Sequence, residues 1–312
     1  MISSELDAAG VREPHLREAY RRCRVLNAAH GKTFFLATRL LTPAQRPAVH
    51  ALYGFARCAD DILDDFDPTI STAERADRLQ LLATQFSAAR MQDGCNGEPV
   101  LAAVVHSARE YGIGWDLFDD FLASMRMDLT VTDYADRTAL ERYVRGSAEV
   151  IGLQLLPILG TVCPRDEAAP YAAALGKAFQ LTNFLRDVDE DLLRDRVYLP
   201  ADELAVHDVD RDVLMWCHAH QRTDVRVRRA LVEQHAATRR IYDEAARGIA
   251  LLQPRSRPCV SAALTLYSAI LERIEEMDFA IFSQRATVGT RRRLKVAAGG
   301  LVKSWRARMG AS

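Results

Sequence analysis

Two acidic stretches carry residue types and spacings that could do chemistry. The first runs Gln180-Leu181-Thr182-Asn183-Phe184-Leu185-Arg186-Asp187-Val188-Asp189-Glu190-Asp191. No Gly or Pro interrupts it, and its apolar residues recur at helical intervals, which predicts a helix. On that helix Gln180, Asn183, Asp187 and Asp191 follow at steps of three, four and four, so their side chains line one stripe. Two carboxylates and two amides beside Leu181, Phe184, Leu185 and Val188 need a partner charge if they face inward. The second stretch runs Tyr53-Gly54-Phe55-Ala56-Arg57-Cys58-Ala59-Asp60-Asp61-Ile62-Leu63-Asp64-Asp65. Here Asp60 and Asp64 stand one turn apart, and Arg57 and Tyr53 continue the same face. A single D-x-x-x-D is most often a solvated helix face. Two copies, each with an Arg within one turn and each embedded in apolar sequence, point instead to two helices facing each other across a cavity.

Such a site is rich in oxygen and negative charge, which suits a hard cation. Mg²⁺ binds through one or two carboxylates plus substrate phosphate oxygens and keeps several waters. Arg57 and Arg186 cannot ligate a metal, but their guanidinium groups can grip phosphate; the alternative for each is a salt bridge to a neighbouring Asp. His30-Gly31-Lys32-Thr33-Phe34-Phe35 adds basic and hydroxyl groups at a helix end, with two rings that could wall an apolar cavity. The bland reading of that segment is an ordinary helix-ending turn. Metal, phosphate and apolar walls together suggest loss of diphosphate from an allylic isoprenoid, with the metal as Lewis acid and a water-poor pocket protecting the carbocation.

The frames Tyr-x-x-x-Arg-x-x-Asp-x-x-x-Asp and Gln-x-x-Asn-x-x-Arg-Asp-x-x-x-Asp resemble those of the squalene/phytoene synthase family. Arg194-Asp195-Arg196-Val197-Tyr198-Leu199-Pro200 is similar to that family's R-x-R-[IV]-Y-L-P segment, and His30 to Phe34 to its early H-x-K-[ST]-F segment. The late helix around Tyr267 fits as well, so the resemblance covers residues 20 to about 285. It implies an all-α isoprenoid-synthase fold with a central cavity. It also implies head-to-head condensation of two prenyl diphosphates through a cyclopropylcarbinyl diphosphate. By position, Asp60, Asp64, Asn183, Asp187 and Asp191 would hold Mg²⁺, with Mn²⁺ as a substitute. His30, Lys32, Thr33, Tyr53, Arg57, Gln180, Arg186 and Tyr267 would contact diphosphates or the intermediate. Tyr53, Arg57 and the four Asp would be the catalytic set. One departure is Asp189, where the family commonly has Gly; two residues from both Asp187 and Asp191, it should point off the metal-facing stripe.

Within the family, Tyr143-Val144-Arg145-Gly146-Ser147-Ala148-Glu149-Val150-Ile151-Gly152-Leu153 looks more like phytoene synthases than squalene synthases. Its small residues would leave room for a long polyisoprenoid, or serve close helix packing. The expected activity is therefore phytoene synthesis from two geranylgeranyl diphosphates by way of prephytoene diphosphate. The alternatives are squalene or dehydrosqualene synthesis from farnesyl diphosphate, and a non-catalytic assembly factor on the same fold. No G-x-G-x-x-G motif is evident, so no NADPH is expected.

The rest of the chain reads as helices that position these stripes. They are expected near 15–29, from Thr42-Pro43 to Asp64, from Ser71 to about Arg90, and at 99–111, 115–130, 138–160 and 165–195. An extended Arg196 to Pro200 follows, then a short helix at Pro200 and helices at 208–220, 222–251, 258–282 and 290–308. No run of alternating β-branched residues suggests a strand. The expectation is one all-α domain over 1–312, with a core of about 15–285 and a basic tail over 286–312.

A net charge of −1 gives no general pull toward nucleic acid. The eight Lys or Arg between Arg285 and Ser312, with no acid among them, could place that tail on an anionic membrane surface. The six scattered cysteines read as reduced thiols, and the opening residues lack a signal peptide's pattern. The expected location is cytoplasmic, with membrane association at most at the surface. Cys217-His218-Ala219-His220 does not read as zinc-binding, because histidines two apart point to different helix faces. Oligomeric state is not legible.

Overall fold

The computed structural model describes residues 2–63, 70–91 and 98–289, together with 292, 296 and 299. Asp64 lies outside the described residues, as does nearly all of the helix expected at 290–308. Among the described residues the chain is all-α, with only two isolated backbone bridges, Asp133 with Val197 and Thr161 with Leu252.

The helices of the first half are α1 (Ile2–Ala8), α2 (Pro14–His30), α3 (Lys32–Thr38), α4 (Arg46–Leu63), α5 (Thr72–Met91), α6 (Pro99–Tyr111) and α7 (Asp116–Met127). Those of the second half are α8 (Arg137–Val144), α9 (Val150–Leu159), α10 (Arg165–Leu192), α11 (Ala201–Ala205), α12 (Arg211–His220), α13 (Val225–Arg247) and α14 (Arg257–Glu276). Their ends follow local chemistry. Pro99 opens α6, where its missing N–H costs no helical hydrogen bond, and Gly112 closes it in the left-handed conformation. The Ser71 hydroxyl accepts the Glu74 N–H at 3.1 Å, as expected of a cap.

Four expectations need correction. Pro43 does not open α4, because the Gln45 side chain accepts the Thr42 backbone N–H and hydroxyl and closes residues 42–45 into a turn. The helix then starts at Arg46. Gly31 does end α2, donating to the Asn27 carbonyl at 2.9 Å, but the chain re-enters a helix at once, so His-Gly-Lys is a corner between α2 and α3. The helix expected over 138–160 contains a π turn at Arg145–Glu149, and the one over 222–251 ends in a 3₁₀ turn at Gly248–Leu251.

The long helix α10 packs against α13, α9, the π turn and α14. Two large apolar cores flank it. One gathers α2, α4, α5, α6 and α7 around the tilted and edge-on rings of Phe55, Phe86 and Phe118. The other gathers the C-terminal half of α10 with α12, α13 and α14. A third cluster, including Leu41, Leu159, Ala168, Leu252 and Cys259, gathers where α9, α10 and α14 approach α3. Close approach to α10 is what the small residues supply. A Cβ added to Gly152 would lie 2.1 Å from the Ala172 carbonyl oxygen, and one on Gly176 2.3 Å from that of Ala148. No helix among the described residues is long and apolar enough to cross a membrane.

Candidate active site

A cavity of about 300 Å³ runs along α10. At one end it is lined by Tyr53 of α4, Gln180 and Asn183 of α10, and Tyr267 of α14. At the other it is walled by Leu159, Ala168, Leu252, Cys259 and Val260, the members of the third apolar cluster. Nearly all of the lining between is apolar.

The four residues at the polar end were expected from sequence, and the fold brings them together. Tyr53 packs over the corner at Gly31, where an added Cβ would meet its ring at 2.8 Å. Burial raises the Tyr53 phenol above its ordinary range, with Asp60 and Asp61 adding to the effect. Tyr267 stacks on Phe179 at 4.3 Å and lies 5.1 Å from Phe34. Burial pushes its phenol up to about 12, against the pull of the Arg186 charge. The Asn183 Oδ1 is buried without a hydrogen-bond partner at the cavity wall, as is the Ser147 Oγ from the π turn. Orphaned acceptors of this kind are rare and call for an explanation.

The α10 stripe continues beyond the cavity. The Arg186 Nε donates to Asp187 Oδ1 at 2.7 Å, so the neighbouring salt bridge forms. Arg285 also reaches Asp187, donating from Nε and Nη2 to Oδ1 at 3.0 and 2.8 Å, and its Nε lies 3.2 Å from Glu190. One turn on, burial and the Asp187 charge push the Asp191 carboxyl up to about 7, although Arg194 and Arg196 oppose the shift. Two carboxylates confined this way gain from any cation placed between them. Asp189 leaves the stripe as expected: its Oδ1 is 2.7 Å from Nδ1 of His218 on α12. That contact also gives His218 a role without zinc, while Cys217 is a buried thiol that accepts the Asp224 N–H.

On α4, Asp60 is half-buried, and Arg57 pairs with Asp61 while its Nε stays buried without a partner. His30 and Lys32 are exposed at the α2–α3 corner and Thr33 is half-buried; none of the three lines the cavity. Of that segment Phe34 does, whereas Phe35 stacks on His50 instead. Among the described residues no three His, Cys, Asp or Glu side chains converge enough to cage an ion unaided.

Two participants escaped the sequence reading. Ser147 was read for its size alone, and Arg285 as the first residue of a basic tail. Arg285 sits among Phe282, Ala286 and Val288, all buried, a pattern that marks packed chain rather than a tail. Arg292 likewise pairs with Glu272 of α14.

The family model for squalene/phytoene synthases matches residues 27–293. The chain belongs to that family. A chloroplastic phytoene synthase 2 of Solanum lycopersicum is 37% identical over 288 residues, covering 89% of this chain and 88% of that protein. A phytoene synthase of Arthrospira platensis is 35% identical, covering 90% of this chain and 92% of its own. Among solved structures, a dehydrosqualene synthase in complex with ligand superposes with a TM-score of 0.81 at 23% identity, over 95% of this chain and 98% of that one. The squalene synthase HpnC from Alicyclobacillus acidocaldarius gives 0.76 at 25% identity, over 87% and 98%.

Proposed function

We propose that this chain is a phytoene synthase that joins two geranylgeranyl diphosphates head to head and releases two diphosphates. The observation that carries the choice of substrate is the depth of the cavity. Its lining on α10 runs from Asn183 to Ala168, and that separation at 1.5 Å per residue spans about 22 Å. An extended chain of single bonds advances about 1.2 Å per bond, so each four-bond isoprene repeat adds about 5 Å. Four repeats need about 19 Å and three about 14 Å on that same scale. A geranylgeranyl chain with its diphosphate at Asn183 would fill the cavity to Ala168. A farnesyl chain would leave a void against Leu159 and Cys259 and forfeit those contacts. The curated relatives, phytoene synthases at 35 and 37% identity, support the same reading.

The donor set fits Mg²⁺. Asn183 offers an orphaned buried oxygen, and Asp187 and Asp191 are carboxylates that crowd each other. Together with Asp60 and, by its spacing in the sequence, Asp64, these residues would hold the ion, which would supply Lewis-acid neutralisation of the departing diphosphate. The protein's own groups do the rest. Arg57 and Arg186 present guanidinium donors to diphosphate oxygens. The apolar walls keep water from a cation formed at the polar end, and the clustered rings of Tyr267, Phe179 and Phe34 line the cavity beside it.

The test is a product assay with Mg²⁺, with farnesyl and geranylgeranyl diphosphate offered separately, with and without NADPH. A forty-carbon hydrocarbon from geranylgeranyl diphosphate, independent of NADPH and abolished by EDTA, is the expected result. Asp60→Ala and Asp187→Ala should each lower turnover by roughly a hundredfold or more. A thirty-carbon product from farnesyl diphosphate alone would refute the substrate. Unchanged biological function in both variants would favour an assembly factor.

A further inference from the structure

Asp187 meets a metal only in competition with its arginines. A carboxylate has about four lone-pair positions, two on each oxygen. In this structure three N–H groups crowd Oδ1, from Nε of Arg186 and from Nε and Nη2 of Arg285, while Nη2 of Arg186 takes one position on Oδ2. Mg²⁺ needs an oxygen at about 2.0–2.1 Å, and at Oδ1 it would face guanidinium charges less than 3 Å beyond the same atom. Ligation through Oδ1 therefore needs at least one arginine to leave. Arg186 belongs to α10 itself, next to Asp187, and its side chain is only 19% exposed. Arg285 lies beyond the end of α14 in irregular chain, and its side chain is 46% exposed. Arg285 is therefore the one free to move.

We infer that Arg285 is an ionic latch: a tethered cation that occupies Asp187 until metal arrives together with diphosphate. The inference rests on Asp187 being a metal ligand, as proposed above. Free metal must displace the latch and leave the released guanidinium to solvent and to Glu190, which it already approaches. Metal accompanied by diphosphate brings a new acceptor, since diphosphate oxygens match the guanidinium fork. Metal and diphosphate thus bind better together than either binds alone, and by linkage each raises the affinity for the other by one common factor. In biological terms the latch keeps the acidic end neutralised while the site is empty. It also prevents a bare ion from settling there before substrate.

Mn²⁺ binding to the purified protein tests this, followed by electron paramagnetic resonance and by calorimetry with and without inorganic diphosphate, so that no turnover is involved. In Arg285→Gln, affinity for Mn²⁺ alone should rise, by roughly two- to tenfold for a half-exposed pair. The enhancement by diphosphate should shrink. Arg285→Lys, which keeps the charge, should stay near wild type. Circular dichroism and the melting temperature establish that each variant is folded. Unchanged or weaker Mn²⁺ binding in Arg285→Gln overturns the latch. Asp187→Asn separates the two ideas: if it leaves wild-type Mn²⁺ affinity intact, the metal assignment fails, and the latch with it.

Discussion

Replacing Ala168 by Phe should convert a chain-length preference without touching the polar end. Ala168 is 2% exposed and lies where the cavity meets the third apolar cluster, some 22 Å along α10 from Asn183. A phenyl ring pointing into the cavity removes about 5 Å of depth, roughly one isoprene repeat on the extended-chain scale. The remaining 17 Å or so is short of the ~19 Å that four repeats need and longer than the ~14 Å that three need. A terminal repeat excluded from the cavity forgoes about 0.8 kcal/mol for each of its carbons. Even half of the resulting ~4 kcal/mol changes selectivity by at least tenfold, and the whole of it by nearly a thousandfold. The assay is kcat/KM for farnesyl and geranylgeranyl diphosphate, with the product identified by mass. Thirty-carbon product should rise and forty-carbon product fall. Overpacking costs about 1–3 kcal/mol, so the melting temperature is measured alongside. Cys259→Ala, which deepens the same end, gives a second reading: it should tolerate a chain of five repeats better than wild type does. If Ala168→Phe is folded and keeps its full kcat/KM for geranylgeranyl diphosphate, the depth argument is wrong.

Two predictions concern stability. Burial, with help from the charges of Arg24 and Arg46, lowers the His50 pKa to about 3, and its Nδ1 is 2.9 Å from the Asn27 side-chain nitrogen, which donates to it. The unfolded chain takes up this proton near pH 6.5 and the native state does not. This group's contribution is therefore complete above pH 6.5 and falls by about 1.4 kcal/mol per unit as pH drops toward 3. Urea unfolding at pH 7, 6 and 5 should show that slope in wild type and a shallower one in His50→Gln; equal slopes would exclude His50 as the source. Gly152→Ala should lower stability by roughly 1–3 kcal/mol, because its new Cβ meets the Ala172 carbonyl of α10 at 2.1 Å and backbone cannot step aside. An unchanged melting temperature would mean that α9 and α10 are less tightly seated than their backbones indicate.

What the sequence made legible is whatever repeats at helical intervals. The stripe from Gln180 to Asp191 and the bounds of α6 follow from spacing, Pro and Gly, which act locally. Asp189 was correctly placed off the stripe by the same geometry, although its partner His218 was invisible because α12 lies some thirty residues away. The start of α4 was misplaced because a side chain, Gln45, outcompetes the helix for Thr42. The π turn adds one residue to a helical circuit, and no periodicity count registers so small a change. It nevertheless places the Ser147 hydroxyl on the cavity wall.

The two quantities that matter most for function, depth and latch, are both tertiary. Depth is set by where α9, α10, α14 and the 3₁₀ turn converge on Ala168, Leu252 and Cys259. No segment contains more than a piece of that wall. Arg285 was hidden for a different reason. Local composition groups it with the basic residues that follow, whereas burial of Phe282 and Ala286 on either side fixes it to the body of the protein. A charge is therefore better judged by its apolar neighbours than by its charged ones. Buried flanking residues hold a guanidinium near one carboxylate, and that proximity is what allows a single arginine to compete with a divalent ion. Shifting the buried flank, for example by Phe282→Ala, should loosen the latch without altering a single charge. A role for Arg285 through bulk electrostatics alone would leave the metal affinity of that variant unmoved.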